Sequence, residues 1–165
     1  MKKQIEKLNI IGNVYLWKYT EKTTKYADWH FTVDKTASKS LEELLNMMRE
    51  CEWSCKKEIR LSRPTENQLG VPNFEKGHAK WKGMEMMVLN FKRDVEKEYW
   101  KIIAKVDEVE IQFGEEKLEA LRKAIAGIPK APAPAFCDKR ILLPRESLRV
   151  VHLNNIKRLE NGMQQ

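Results

Sequence analysis

The hydrophobic period of the chain changes most clearly within residues 97–128. In the runs 100–106 and 109–113, apolar side chains occupy every second position, and a short acidic turn separates the two runs. From Leu118 to Ile128 the apolar residues recur every three or four positions instead. A period of two is typical of strands and a period near 3.6 of helices. The pattern therefore predicts a β-hairpin followed by a helix that covers one face of the sheet.

The ends of this helix also have sequence signals. Gly114 stands at the N-cap position, two glutamates follow in the first turn, and Gly127 and Pro129 end the periodic stretch. Acidic side chains stabilise a helix N-terminus, whereas glycine followed by proline stops a helix. We expect a helix over 115–126 that packs three apolar side chains against the sheet. These are Leu118, Leu121 and Ile125.

The N-terminal part reads as two strands and a helix. In residues 10–19, both the even-numbered and the odd-numbered positions are largely apolar, so both faces of an extended strand would be apolar. This is expected of a strand near the centre of a sheet. After a polar turn at 20–25, residues 28–33 alternate apolar and polar side chains and predict a half-buried strand. Ser40 and Glu43 then form a capping-box pattern, so a helix is expected over 40–50.

The middle of the chain combines short strands with a long irregular stretch. A third strand is expected around Ile59 and Leu61, and residues 84–91 form another, apolar on both sides. Between them, residues 62–83 have no sustained period and contain several prolines and glycines. A connection of that length in a compact domain is usually functional or mobile.

The C-terminal part is the least regular. Residues 129–136 are rich in proline and alanine and predict an extended connection. The remaining residues, 137–165, are too few for an ordinary separate domain, so they are expected to dock back on the body. Within them, 140–144 reads as a strand, and 148–159 fits either a helix or a strand followed by a turn. Residues 1–165 are therefore interpreted as one domain.

Together these elements predict the α+β class. We expect a mostly antiparallel sheet of about five to six strands with two main helices packed on it. The strands and helices do not alternate strictly, which argues against a doubly wound parallel sheet. No internal repeat of useful length is present.

Composition narrows the class of protein further. The chain has 165 residues, of which 42% are hydrophobic and 33% charged, as suits a soluble globular protein. Its formal net charge of +7 would favour anionic partners, although moderately basic proteins without such partners are common. No apolar run approaches the roughly 20 residues that span a bilayer. Lys2 and Lys3 resemble the start of an export signal, but Glu6 and Lys7 interrupt the apolar core that must follow. We therefore expect no membrane association and a cytoplasmic protein.

Metal binding and catalysis have little support in the sequence. Cys51 and Cys55 are four residues apart, and a zinc site would need two further ligands from the distant Cys137, His78 and His152. A small apolar role for Cys51 at the end of a helix is the simpler interpretation, and all three cysteines are expected to be free thiols. No phosphate-binding loop, dinucleotide fingerprint or nucleophile elbow is present. We expect no catalytic residues, no metal and no cofactor.

The segment 54–83 is the best candidate for a nucleic-acid interface. Seven basic residues against three acidic ones give it a net charge of +4, and two aromatic residues lie among them. Basic groups contact phosphates and aromatic rings stack on unpaired bases. The alternative is a solvated loop that Phe74 and Trp81 pin to the body, because no known recognition motif accompanies the charge. The candidate residues are Lys56, Lys57, Arg60, Arg63, Phe74, Lys76, Lys80, Trp81 and Lys82.

Two functions of different classes remain open. The preferred one is a non-catalytic accessory or inhibitory protein that binds a protein partner, since catalytic motifs are missing and aromatic residues are concentrated around the first hairpin. Those residues are Trp17, Tyr19, Tyr26 and Trp29. The alternative is a nucleic-acid-binding protein that uses 54–83. An enzyme without a local sequence signature comes third.

Overall fold

The computed structural model describes residues 1–20, 29–69, 72–73, 77–128 and 151–152. Within these residues the chain forms three helices and ten strands, several of them very short. The helices are α1 (Lys2–Lys7), α2 (Lys35–Glu50) and α3 (Glu115–Gly127). The strands are β1 (Val14–Tyr19), β2 (Trp29–Val33), β3 (Cys55–Arg60), β4 (Pro72–Asn73), β5 (Gly77–His78), β6 (Trp81–Gly83), β7 (Met86–Phe91), β8 (Trp100–Ala104), β9 (Glu108–Phe113) and β10 (Val151–His152).

The strands form two main sheets, so the prediction of a single sheet is wrong although the α+β class is confirmed. The first sheet has the order β10–β2–β1–β6, and the second has the order β3–β7–β9–β8. All pairs in both sheets are antiparallel except β7 with β9, which is parallel. Hydrophobic periodicity shows which side of a strand is buried but not which strand it pairs with, so it could not separate the two sheets.

One continuous stretch of chain joins the two sheets. Residues 81–83 belong to the first sheet and residues 86–91 to the second. Between them, the Met84 backbone N–H donates to the Leu16 carbonyl at 3.1 Å. The apolar run at 84–91, which predicted a separate strand, is therefore the second half of a stretch that serves both sheets.

The main core lies between the inner faces of the sheets and the three helices. Val14 and Phe31 contribute from the first sheet, whereas Leu89 and Ile111 contribute from the second. The predicted helix over 115–126 is confirmed as α3, and its three predicted apolar side chains are all buried in this core. The predicted hairpin is also confirmed, since β8 pairs antiparallel with β9.

The start of α2 differs from the prediction. The helix begins at Lys35, where the Asp34 carboxylate accepts a hydrogen bond from the Ala37 backbone N–H at 2.7 Å. Ser40 therefore lies inside the helix, and its hydroxyl accepts from the Ile11 backbone N–H at 3.2 Å instead. The capping-box interpretation was wrong because nothing in residues 35–39 stops a helix, and aspartate caps as well as serine does.

The first strand begins later than predicted because of Gly12. This residue has a φ of +95°, which interrupts an extended strand and which side chains other than glycine rarely adopt. A Cβ atom there would lie 2.4 Å from the Asp34 Oδ1 atom. The strand starts at Val14, beyond this close approach, and lies between β2 and β6 as its two apolar faces predict.

The second strand is more buried than predicted. All five residues of β2 are buried, including His30, which is 2% exposed. The His30 ring stacks on Trp17 with centroids 5.3 Å apart and meets the Tyr19 ring edge-on at 5.0 Å. The side of this strand that carries His30 and was expected to face solvent therefore packs against a second cluster, which is rich in aromatic residues. The cluster also includes Ala79, Tyr15, Leu69 and Trp81.

The remaining differences concern the ends of the chain and β3. Helix α1 was not predicted, and β3 begins four residues earlier than its apolar residues indicated. The predicted connection 129–136 and most of the segment 137–165 lie outside the described residues. Residues 151–152 pair with His30 and Phe31 of β2. The division of the chain into one domain with a docked C-terminal segment stays a prediction.

Candidate functional site

The structure separates the predicted nucleic-acid-binding residues instead of bringing them together. Phe74 and Lys76 lie outside the described residues. The others fall into three groups that belong to different surfaces. Lys56 and Arg60 lie on the outer face of the second sheet, Lys57 lies on its inner face, and Arg63, Lys80, Trp81 and Lys82 lie at the edge of the first sheet.

Lys57 has a structural contact. Its ammonium group donates a hydrogen bond to the backbone carbonyl of Glu6, near the C-terminus of α1. A cation at a helix C-terminus complements the partial negative charge of the last carbonyls. This side chain therefore fastens α1 to β3, and it is not available as an independent phosphate contact.

The Trp81 ring is also partly occupied. The Arg63 guanidinium lies 5.8 Å from its centroid in a cation–π contact. On the neighbouring strand, Tyr19 is directly opposite Trp81 in the register of β1 and β6. The half-buried tryptophan thus belongs to the aromatic cluster of the first sheet, which favours the interpretation that it pins the loop to the body.

Two exposed lysines form the most basic position at this edge. Lys18 of β1 lies directly opposite Lys82 of β6. Neither has an ion pair within the described part of the chain, and the Lys18 ammonium lies 5.8 Å from the Trp29 ring. Like charges placed opposite each other destabilise a sheet. An anionic ligand at this position would relieve that repulsion.

The outer face of the second sheet carries polar and charged side chains from four neighbouring strands. The three helices pack on the inner face, so side chains of opposite parity on β3, β7, β9 and β8 form a surface that we call the open face. The strand registers and the Lys105–Glu108 backbone hydrogen bond align these side chains in three rows across the sheet. Each row runs in the order β3, β7, β9, β8, and Lys105 directly follows the last residue of β8. The rows are Lys56–Asn90–Gln112–Lys101, Glu58–Val88–Glu110–Ile103 and Arg60–Met86–Glu108–Lys105.

Basic side chains occupy all four corners of the open face. Lys56, Arg60 and Lys101 are exposed, and none of them forms an ion pair with another described residue. The fourth corner, Lys105, is paired with Glu108. Three exposed cations at the margin of this face therefore lack an ionic partner among the described residues.

The centre of the open face is a hydrogen-bonded network. The amides of Asn90 and Gln112 both donate to one Glu110 carboxylate oxygen, at 2.6 and 2.9 Å. The Tyr99 hydroxyl donates to Gln112 at 3.0 Å, which fixes the orientation of that amide. Hydrogen bonds from the two amides lower the pKa of Glu110, so its carboxylate is charged at neutral pH. The face thus has a preorganised acceptor at its centre.

A shallow groove of about 660 Å³ adjoins the last row of this face. Its apolar lining comes from Leu61 and Met86, together with the exposed Val106 at the tip of the β8–β9 turn. The charged lining consists of Arg60, Glu85, Lys105, Asp107 and Glu108. The groove is open to solvent, and its lining combines apolar and charged side chains.

The described residues contain no group of three histidine, cysteine or acidic side chains arranged to hold a metal ion. Cys51 and Cys55 are buried thiols at the end of α2 and the start of β3. Burial, with a further contribution from Cys51, raises the pKa of the Cys55 thiol to about 12. A thiol with such a pKa is a poor nucleophile at neutral pH. Cys137 lies outside the described residues.

Comparison with protein-family models, with curated proteins and with solved structures gives no match for this chain. Among the described residues, no helix has the length and apolar character needed to cross a membrane.

Sequence reasoning missed most of the open face. It identified Lys56 and Arg60 by their charge as part of the segment 54–83, but it did not show that they share one face of a strand with Glu58. The alternation of Glu110 and Gln112 with apolar residues was visible and marked one side of β9 as polar. What the sequence could not show was the strand order that places Lys101 at the far corner.

Proposed function

We propose that this protein binds an acidic protein partner through the open face of its second sheet. The observation that carries the proposal is the set of three exposed cations around a fixed central acceptor, Glu110. These cations, Lys56, Arg60 and Lys101, form no ion pair with another described residue. Complementary charge at the margin of an interface accelerates association and selects the partner. The formal net charge of +7 also favours an acidic partner.

The charge pattern of the open face favours a protein over a nucleic acid as partner. Glu58, Glu108 and Glu110 lie between the basic corners. A nucleic-acid backbone presents phosphates at short, regular intervals, and these carboxylates would repel it. A protein surface can place carboxylates against the corners and hydrogen-bond donors against the centre.

The proposal is tested by affinity capture from cells of the native host, with and without nuclease treatment. The wild type is compared with a face variant, Lys56→Glu with Lys101→Glu. The matched control is Lys35→Glu with Lys39→Glu, which makes the same charge change on the exposed side of α2. We expect a nuclease-resistant protein to be captured by the wild type and the control, and affinity for it to fall at least about tenfold in the face variant.

Equal capture by the face variant and the control would contradict the proposed surface. Loss of all specific capture after nuclease treatment would contradict a protein partner. The captured protein, once purified, should also bind more weakly as the salt concentration rises, because the marginal charges are exposed.

Nucleic-acid binding remains the second candidate, favoured by the opposed Lys18 and Lys82 side chains at the edge of the first sheet. If that edge binds a nucleic acid, Lys18→Gln with Lys82→Gln should flatten the salt dependence of oligonucleotide affinity by about two phosphate contacts. Trp81→Ala should instead weaken single-strand binding without changing the slope. No binding of the wild type at low salt to single- or double-stranded oligonucleotides would exclude this candidate.

A further inference from the structure

The outer edge of β8 carries backbone groups with no partner strand among the described residues. The Tyr99 carbonyl accepts from the Gly114 N–H, and the Lys105 N–H donates to the Glu108 carbonyl, both at 2.8 Å. Along an antiparallel strand, the backbone N–H and C=O groups of alternate residues point to opposite sides. The backbone groups of every second residue from Tyr99 to Lys105 therefore point towards β9. The backbone N–H and C=O groups of Trp100, Ile102 and Ala104 therefore point away from the sheet.

The other sheet edges among the described residues are shorter or accompanied by another element. Helix α1 packs against β3, β10 pairs with β2, and β6 has only three residues. Strand β8 has five residues, none of them proline. An edge of this kind is a template for strand addition unless charge or shape protects it.

We propose that a second copy of this chain pairs with β8 in the antiparallel sense, about a two-fold axis at Ile102. In this register Trp100 lies opposite Ala104 of the second copy, so a large side chain meets a small one. Lys101 lies opposite Ile103 of the second copy, where its aliphatic stem can cover the isoleucine. Each outward N–H and C=O of the three edge residues gains a hydrogen-bonding partner.

Charge selects this register over its neighbours. If the axis passed through Lys101, that lysine would lie opposite its own copy. If the axis passed through Ile103, Lys101 would lie opposite Lys105 of the second copy. Like charges directly opposite each other are destabilising, and the Ile102 register avoids both pairs. It also places a neighbouring strand beside the partly buried side chains of Trp100, Ile102 and Ile103.

The dimer would join two four-stranded sheets into one continuous sheet of twice the width. Its two open faces would then lie side by side, with Lys101 of each copy next to the axis. A partner with two acidic sites could engage both faces at once, which would raise its apparent affinity. Self-association itself does not depend on the proposed partner, because its hydrogen bonds come from the backbone at the edge of β8.

The test measures molar mass by light scattering over about 1 µM to 1 mM protein, because dimer formation depends on concentration. Ala104→Pro removes one outward N–H and leaves the bonds between β8 and β9 in place, since proline is tolerated at the edge of a sheet. Ala104→Val is the matched control, because it keeps the N–H and favours a strand. We expect the wild type and Ala104→Val to reach the dimer mass, and Ala104→Pro to stay at the monomer mass.

A charge pair at residue 103 tests the register itself and does not depend on how well the proline variant folds. Ile103→Glu places a carboxylate opposite Lys101 of the second copy, and Ile103→Lys places a second cation there. We expect the dimer dissociation constant of the lysine variant to exceed that of the glutamate variant by roughly three- to tenfold or more. A wild type that stays monomeric throughout, a folded Ala104→Pro that still dimerises, or the reverse order of the charge pair would each overturn the proposal.

Discussion

The Asp34 carboxylate joins the start of α2 to the segment before β1 through Asn13. The same Asp34 oxygen accepts from the Asn13 backbone N–H at 2.7 Å and from its side-chain amide at 3.0 Å. The other oxygen caps the helix by accepting from the Ala37 N–H. One side chain therefore fixes both the helix N-terminus and the entry of the chain into the first sheet.

Replacement of Asp34 by alanine should destabilise the fold. Loss of a helix N-cap costs about 0.5–2 kcal/mol, and we expect the upper part of this range because the Asn13 contacts are lost as well. Urea denaturation at pH 7 measures the change in the free energy of unfolding. Asp34→Asn should lose less, because asparagine also caps helices. An alanine variant as stable as the wild type would contradict the role assigned to this residue.

The Asp34 cap should also depend on pH. Partial burial raises the pKa of Asp34, but the hydrogen bonds from Ala37 and Asn13 outweigh it and hold the pKa below its usual value of 3.8. A carboxyl with a lowered pKa in the folded state stabilises the protein above its unfolded pKa and loses that effect as the pH falls. The stability difference between wild type and Asp34→Ala should therefore shrink below about pH 4.

Gly12→Ala should be destabilising, whereas Gly127→Ala should not. At Gly12 an added Cβ would meet the Asp34 carboxylate and the Ala37 N–H at about 2.5 Å, in a backbone conformation that alanine rarely adopts. At Gly127, the last residue of α3, nothing lies within 4 Å and alanine is the better helix former. Thermal unfolding of the two variants measures this difference. We expect the free energy of unfolding of Gly12→Ala to be lower than that of Gly127→Ala by at least about 1 kcal/mol.

Leu121→Ala should cost about 2–5 kcal/mol, the range for truncation of a large buried side chain. Leu121 is 2% exposed and lies in the main core between α3 and the sheets. Lys123→Ala, on the exposed side of the same helix, is the control and should change stability by less than about 0.5 kcal/mol. Chemical denaturation of both variants compares the two faces of α3. Similar small losses in both would mean that the helix packs through another face.

The Cys55 thiol should make the fold sensitive to alkaline pH. Its pKa of about 12 in the folded protein lies above the ordinary value of 9.0, because the buried site disfavours the thiolate. The resulting stabilisation is present below pH 9 and is lost as the pH rises towards 12. In this window one thiol contributes a slope of up to about 1.4 kcal/mol per pH unit. Under reducing conditions, Cys55→Ala should flatten the pH dependence of unfolding, and parallel curves for variant and wild type would contradict this assignment.

A helix could be predicted from the sequence where residues close together along the chain determine where it begins and which side is buried. Helix α3 is such a case, because Gly114 and the apolar spacing agree with the structure, although Gly127 is the last residue of the helix and not the residue that stops it. The start of α2 was mispredicted because Asp34 and Ser40 both carry capping side chains, and contacts with Ile11 and Asn13 decide between them. Those contacts join residues far apart in sequence, so local pattern could not weigh them.

The candidate site was harder to predict for a related reason. Charge along the chain identified Lys56 and Arg60, but their surface depends on the pairing of four strands. Lys101 reaches the same face only because β9 pairs with β7 on one side and with β8 on the other. Hydrophobic alternation gives the parity of a residue on its own strand and does not specify that strand's neighbours.

The unbroken passage of residues 81–91 from one sheet into the other has a consequence for folding. Because Met84 bonds to Leu16 of the first sheet while the next residues pair within the second, neither sheet can lose this stretch without disturbing the other. The inner faces of both sheets also share one core. We therefore expect the two sheets to melt together, in a single transition seen alike by tryptophan fluorescence and by far-ultraviolet circular dichroism. The crossover at Met84 makes the fold of both sheets one cooperative event.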